Sequence, residues 1–273
     1  PRWQLLASST VIRMNVMPDR VEQLFRRCRE ENRAAFIPYI CAGDPTLAAT
    51  VDIALELERA GADLLELGVP FSDPLADGIV NQLAAQRALN GGATTTGVLD
   101  CVKKIRAKSE IPIVLYTYLN PVVQFGFERF HETAAGAGVD GLLLLDLPPD
   151  ELLVAPARPV HIRLVAPTTP GDRLQKICDG AAGFIYYVSR EGVTGAQSSM
   201  ASSLRDRVAE IRTHTELPIA IGFGISTPEQ ASEVARIADG VVVGSAIVEK
   251  IGNGVAVGGF ARELASAVHE ARR

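Results

Sequence analysis

Eight short apolar runs recur along the chain, over residues 36–40, 64–67, 113–116, 141–145, 161–166, 184–188, 219–221 and 241–243. Each run is nearly continuous rather than alternating, the pattern of parallel strands covered on both faces. Between them the periodicity changes to that of helices, over 47–60, 79–89 with 98–107, 128–137, 173–179, 204–213, 228–237 and 260–272. Thr227-Pro228-Glu229-Gln230 predicts a helix start, with Thr227 as N-cap, proline at the first helical position and Gln230 at the capping-box position. Strict alternation of strand and helix with eight strands predicts the α/β class and a single closed (β/α)8 barrel over residues 18–273. One crossover breaks the rhythm. Residues 148–159 hold four prolines, and interior proline costs a helix about 3 kcal/mol, so this connection is expected to be shortened.

In such barrels the reactive groups sit where strand C-termini meet the following loops. Polar and glycine residues gather at those points: CAGDPT after the first strand, GVPFSDPLADG after the second, Tyr118 and Asn120 after the third, and Asp146 after the fourth. SREGVTGAQSSM, GFGIS and GSAIV follow the sixth, seventh and eighth. The second of these segments carries the strongest chemical signal. Glu66 is bracketed by Leu64, Leu65 and Leu67, and an ionised carboxylate buried in such company costs several kcal/mol unless it is paired or protonated. Asp77 follows on the loop, beyond two prolines that keep the intervening chain out of helix. Two carboxylates in unlike settings can hold separated pKa values and take different acid–base roles. Plainer assignments stand beside these: Glu66 tied to a neighbouring lysine or arginine, Asp77 as the N-cap of the helix at 79–89, Asp146 as a turn acid, and Tyr118 and Tyr186 as core aromatics.

The last three loops suit an anion. Gly195, Gly224 and Gly244 let backbone N–H groups approach without a Cβ in the way, and Ser245 opens a short helix, SAIVEKI, whose N-terminus carries positive partial charge. The same glycines equally serve turns. The long polar loop at 189–200 reads as a lid.

Composition narrows the classes. A net charge of −5 with a pI of about 5.5 and no dense basic patch disfavours a nucleic-acid surface. No apolar run reaches the roughly 18–20 residues of a membrane span. Cys28, Cys41, Cys101 and Cys178 are widely spaced without CxxC, which suggests reduced thiols and a cytoplasmic setting. The histidines lack zinc spacing, so no metal site is expected. Residues 1–17 have no signal-peptide pattern and read as a tag or flexible extension, with Met14 or Met17 as a candidate start.

ELGVPFSDPLADG, YVSREGVTGA, GFGIS followed by Thr227 and PEQ, and GSAIV together closely resemble the tryptophan synthase alpha subunit family, in order and with matching spacing across residues 33–251. The resemblance implies a (β/α)8 barrel that cleaves indole-3-glycerol phosphate to indole and D-glyceraldehyde 3-phosphate, and passes indole to a beta subunit in an alpha2beta2 complex. It implies no cofactor on this chain, pyridoxal phosphate belonging to the beta subunit. By the same resemblance Glu66 is the acid–base carboxylate, Asp77 the partner of the indole N–H, and Tyr186 the active-site tyrosine. Gly195, Gly224, Gly244 and Ser245 form the phosphate cradle. Tyr39, Tyr118 and Phe223 line the indole pocket, and Arg190 and Thr194 belong to the lid. Cys41 and Ile79 depart from the threonine and proline common at those positions. A free-standing lyase, or a catalytically weak regulatory subunit of the beta enzyme, are the alternatives; the intact Glu66/Asp77 pair argues against the second.

Overall fold

Strand and helix alternate through the computed structural model, which describes residues 19–148, 158–189, 197–222 and 224–272. The strands are β1 (Ala35–Cys41), β2 (Leu65–Gly68), β3 (Ile113–Thr117), β4 (Gly141–Leu144), β5 (Val160–Val165), β6 (Ile185–Val188), β7 (Ile219–Gly222) and β8 (Gly240–Val243). Each pairs in parallel with the next, and β8 returns to β1 through Ala35↔Gly240 and Pro38↔Val243 to close the barrel. All eight lie within one residue of the ends expected from the apolar runs.

Helix α1 (Arg20–Glu30) precedes β1, and α2 (Leu47–Arg59) follows it. α3 (Ile79–Asn90) and α4 (Thr95–Arg106) join β2 to β3, and α5 (Leu119–Phe125) and α6 (Phe127–Ala137) join β3 to β4. The remainder are α7 (Gly171–Asp179), α8 (Gln197–Arg212), α9 (Pro228–Ala235), α10 (Ser245–Gly252) and α11 (Gly258–Glu270). Most of the proline-rich crossover, like residues 1–17, lies outside the described residues.

Three helical features go beyond the sequence reading. α1 has Val21, Leu24, Phe25 and Cys28 on one buried face and Asp19 as N-cap, accepting from the Glu22 N–H; its helical spacing is plain once sought. α5 was obscured by Pro121, which falls in the first turn, where the missing N–H does no harm. α8 starts seven residues before the expected 204, in a small polar stretch with no apolar stripe. The N-cap at Thr227 is as expected, accepting from the Gln230 N–H at 3.3 Å. Gln230 itself reaches back to the Ser226 N–H, one residue before the capping-box position.

Strand alternation sorts the core into two layers. Leu65, Leu67, Ile113, Leu115, Ile219, Ile221, Val241 and Val243 face outward against the helices. Ile37, Leu64, Val114, Leu143, Ile162, Phe184 and Tyr186 face into the barrel, where Leu24 and Phe25 of α1 pack against them and plug its N-terminal end. The four cysteines are buried and unpaired. Among the described residues no helix is long and apolar enough to cross a membrane.

The N-terminal end of the barrel carries a repeated brace. Parallel pairing leaves N–H groups at strand starts without a partner, and an orphaned buried N–H is costly. Asp63 donates its own N–H to the Phe36 carbonyl and accepts the Phe36 N–H on its carboxylate, both at 2.9 Å. Asp140 treats Ile113 the same way, and Asp239 treats Ile219 the same way. Each aspartate also meets an arginine: Arg33 in two bonds of 2.9 Å, Arg106 at 2.9 Å and Arg212 at 2.8 Å. Arg20 adds a second cation on Asp140 at 3.0 Å, and His269 a further contact on Asp63 at 2.7 Å. At the equivalent place beside β5 stands Ala182, which donates its N–H to His161 but has no carboxylate to offer. Removing one partner of a buried ion pair costs about 3–5 kcal/mol. Asp140→Ala is therefore expected to lower unfolding stability by about that much in urea titration, and Asp140→Asn by less. A loss under about 1 kcal/mol for the alanine variant would remove the brace from its structural role.

Candidate active site

The opposite end of the barrel is built to leave carboxylates short of partners. In β2, Leu65 and Leu67 point outward, so strand alternation turns Glu66 inward. The register sets Glu66 beside Tyr39 of β1 and Val114 of β3. Glu66 is 1% exposed, and its Oε1 has no hydrogen-bond partner among the described residues. No lysine or arginine is paired with it there, so the ion-pair alternative is set aside. Burial, and secondarily the charge of Asp77, push its pKa up to about 8. At neutral pH it is mostly a neutral acid held where an ionised one is disfavoured.

Asp77 reaches the same space from the loop after β2. Tyr116 donates its hydroxyl to Oδ1 at 2.8 Å and Tyr118 donates to Oδ2 at 2.8 Å. The Asn81 side chain, one helical turn on, also favours the charged form. Burial raises the Asp77 pKa, and the two tyrosine hydroxyls, with Asn81, oppose that rise because they favour the charged form. The N-cap alternative fails here: Gly78 is the cap residue of α3, with no side-chain cap bond.

Tyrosines surround the pair. Tyr39 packs edge-on against Tyr116, with ring centroids 5.0 Å apart, and Tyr118 lies against Phe71 at 5.4 Å. Tyr39 leans over Gly68 and Tyr186 over Gly222, each hydroxyl occupying the space a Cβ would need. Burial comes first in raising the pKa of Tyr39, Tyr116, Tyr118 and Tyr186, with the charges of Asp77 and, except at Tyr118, Glu66 adding to it. All four remain protonated donors near neutrality. Adjacent Tyr187 faces the outer layer, which separates its role from that of Tyr186. Asp146 accepts the Leu119 N–H at 2.6 Å and so fixes the start of α5, next to Tyr118.

At the ends of β7 and β8, Gly224 adopts φ +71°, open to glycine more readily than to other residues. Gly244 caps α10 with no side-chain cap bond, and Ser245 is the exposed first residue of that helix. The orphan N–H groups of such a helix start favour an anion.

Thus Glu66, Asp77, Tyr39, Tyr118 and Tyr186 come together, with Gly224, Gly244 and Ser245 at neighbouring strand ends. Arg190, Thr194, Gly195 and Phe223 lie outside the described residues. The sequence reading missed Tyr116 and Asn81. Period-2 alternation back from Tyr118 would have found Tyr116, and one helical turn on from Asp77 would have found Asn81. Beside the site, Leu75, Ile79 and Leu83 are 92%, 66% and 51% exposed.

Comparison with known proteins agrees with this geometry. The family model for the tryptophan synthase alpha chain matches residues 25–270. The chain belongs to the tryptophan synthase alpha chain family. It is 54% identical over 237 residues to the alpha chain of Opitutus terrae, covering 85% of this chain and 89% of that one. It is 51% identical over 235 residues to that of Citrifermentans bemidjiense, covering 84% and 88%. The crystal structure of the alpha subunit from Legionella pneumophila superposes with TM-score 0.83 at 35% identity, over 92% of this chain and 98% of that one. Tryptophan synthase from M. tuberculosis in its aminoacrylate-bound form gives 0.84 at 32% identity, over 92% and 100%. As a tryptophan synthase alpha chain, this protein is a lyase of tryptophan biosynthesis that cleaves indole-3-glycerol phosphate.

Because the folded-state pKa of Glu66 lies above its ordinary value of 4.5, the folded protein binds a proton there that the unfolded chain has released. Stability from this group is therefore complete below about pH 4.5 and is lost as pH rises through about 8. Glu66→Gln lacks that loss. Its melting temperature is expected to gain on the parent between pH 5 and pH 8.5 in scanning calorimetry. A difference that does not change with pH would mean that Glu66 ionises normally.

Proposed function

We propose that Glu66 and Asp77 divide the alpha reaction between them, Glu66 moving protons on carbon and oxygen and Asp77 holding charge on nitrogen. The observation that carries this reading is a buried Glu66 that, among the described residues, meets no cation, beside an Asp77 held there only by neutral donors. Retro-aldol cleavage begins with a proton added at indole C3, which leaves positive charge on the ring nitrogen. The hydroxyl on the attached carbon then loses its proton and becomes a carbonyl. The C3–carbon bond breaks, and its electron pair returns to the ring. One proton is gained and one lost, so a single carboxyl group can supply both steps and end as it began. Glu66, protonated near neutrality, suits the first transfer and then the second. Asp77 suits the nitrogen: an ionised carboxylate accepts the N–H and stabilises the cation that forms in the transition state. Tyr186, coupled electrostatically to Glu66, completes the catalytic group.

Substrate phosphate is assigned to Gly224, Gly244 and Ser245, with Gly195 carried by the family resemblance. Tyr39, Tyr118 and Phe223 are assigned to the indole, and Arg190 and Thr194 to a closing lid. Phosphate binding orients the substrate and lends energy to the transition state. The assigned chemistry runs on carboxyl and hydroxyl groups of this chain and needs no cofactor from it; pyridoxal phosphate belongs to the beta subunit. The beta subunit is the proposed partner, in an alpha2beta2 complex. The exposed Leu75, Ile79 and Leu83 supply apolar surface for it next to the Asp77 loop. Four unpaired thiols suit a cytoplasmic enzyme.

Glu66→Gln is expected to lower kcat by about 10²–10⁴-fold while KM changes little, measured as indole release. A variant that releases indole at the parental rate would take the proton transfers away from Glu66. The purified chain is expected to be slow alone and strongly activated by a beta subunit. Equal turnover with and without beta would favour the free-standing lyase.

A further inference from the structure

We infer that Tyr116 is a positioning residue for the alpha reaction, its hydroxyl tying the Asp77 carboxylate to the barrel frame so that the free lone pairs face the substrate's ring nitrogen. The inference rests on the reading of Asp77 given above and goes further, because neither the motifs nor the family resemblance assigns Tyr116 a role.

The argument begins with where each tether is anchored. Asp77 stands on a loop whose residues from 71 to 78 are exposed or half-buried. Its backbone bonds, from its N–H to Pro74 and from Gln82 to its carbonyl, stay within that loop and the helix it enters. Asn81 lies on the same helix. Tyr118 lies just beyond β3, at the cap position of α5, and its hydroxyl also accepts the Ala76 N–H at 3.0 Å, so it is bound to the loop at two points. Tyr116 differs. It is a residue of β3, in register with Gly68 of β2, and its ring packs edge-on against Tyr39 of β1. Its own strand β3 and the Tyr39 ring from β1 therefore hold the ring whose hydroxyl meets Oδ1. A carboxylate placed by a loop alone would lack the sub-ångström precision that a charge-stabilising group requires.

The chemistry of the tether matters as much as its anchor. Among the described residues, the groups facing Asp77 are Glu66 from β2, Tyr39 and Cys41 from β1, Tyr116 from β3, Tyr118 just beyond it, Tyr186 from β6 and Asn81 from α3. None is a cation. An arginine on Oδ1 would fix the carboxylate equally well but would neutralise the charge meant for the indole cation. A hydroxyl fixes the oxygen and leaves the negative charge available. Each oxygen takes one tyrosine hydroxyl, which leaves acceptor capacity for a substrate N–H.

Tyr116→Phe keeps the ring and its packing on Tyr39 and removes only the donor. A hydrogen bond to a charged group commonly contributes enough that its loss should lower kcat about tenfold, with KM nearly unchanged. With one donor fewer, the charged form of Asp77 is less favoured, so the acid limb of the kcat/KM–pH profile should move to higher pH by about half a unit. In an Asp77→Ala background the same substitution should change indole release by less than about twofold, since contacting residues couple. A Tyr116→Phe protein with parental kcat and an unmoved acid limb overturns the inference. So does an equal loss in both backgrounds, which is what a purely structural tyrosine would give. The Asp77→Ala single variant separates the two claims: a large loss supports the assigned role of Asp77 whatever Tyr116 does. Parental turnover from that variant would overturn the Asp77 reading and this inference together.

Discussion

What a carboxylate does inside this barrel is decided by the donors that reach it. Burying the charge without partners is prohibitive, and the structure answers that constraint differently at its two ends. At the N-terminal end, Asp63, Asp140 and Asp239 each receive a backbone N–H and at least one guanidinium. On the rim beyond β1, Asp44 is likewise held by two bonds from Arg87. These carboxylates are each paired with a guanidinium, so they lock strand starts and loops and their charge is already neutralised. Among the described residues, Asp77 receives only neutral donors and Glu66 Oε1 receives none. The contrast between the arginine-paired aspartates at strand starts and the Glu66/Asp77 pair runs along the barrel axis. It separates the face that stabilises the fold from the face proposed to react.

Strand alternation makes this separation possible. A residue inside β2 has no choice of face, so Glu66 between Leu65 and Leu67 is committed to the interior by the two leucines that pack outward. Glycines at strand ends then make room for large neighbours: Gly68 for Tyr39 and Gly222 for Tyr186. The polar rim is thus built from aromatic hydroxyls set into space that side chains elsewhere would fill. Hydroxyls on rigid rings can be aimed, lose little conformational entropy, and carry no net charge.

How much of this is legible in the sequence depends on the range of the interaction. The eight strands follow from local apolar runs and match to within a residue. Glu66 is legible because its anomaly is local, a charge among leucines. Asp77 is not, since a local reading makes it a cap for the next helix. Its actual partners are 39 and 41 positions away, and they compete successfully because closure of the barrel brings β3 beside β2. Tyr116 escaped for the same reason, although its spacing from Tyr118 was visible. The braces at the other end are also long-range, with Asp63 meeting Phe36 and Asp239 meeting Ile219, so no local pattern declares them. α1 is a different case: its apolar spacing and Asp19 cap were present and simply precede the first barrel strand. Thr227 shows the reverse, a cap whose partners are all within one turn and whose role reads directly from four residues.

Glu66 and Asp77 are also coupled to each other. Asp77's charge is part of what raises Glu66, so whatever keeps Asp77 ionised also helps keep Glu66 protonated. The neutral donors around Asp77 therefore serve both groups at once. They favour the charge on Asp77, and they leave that charge unneutralised, so it still acts on Glu66. A cation in their place would achieve the first and cancel the second, lowering the pKa of Glu66, the proposed acid. The coupling changes sign of purpose during the reaction. On the proposed roles, once the indole nitrogen becomes positive it would draw on the field of Asp77, and Glu66, then a carboxylate, would meet less repulsion as it takes the hydroxyl proton. The tyrosine-rich rim follows from that requirement: donors strong enough to hold a carboxylate in place, and neutral enough to leave its field for the substrate.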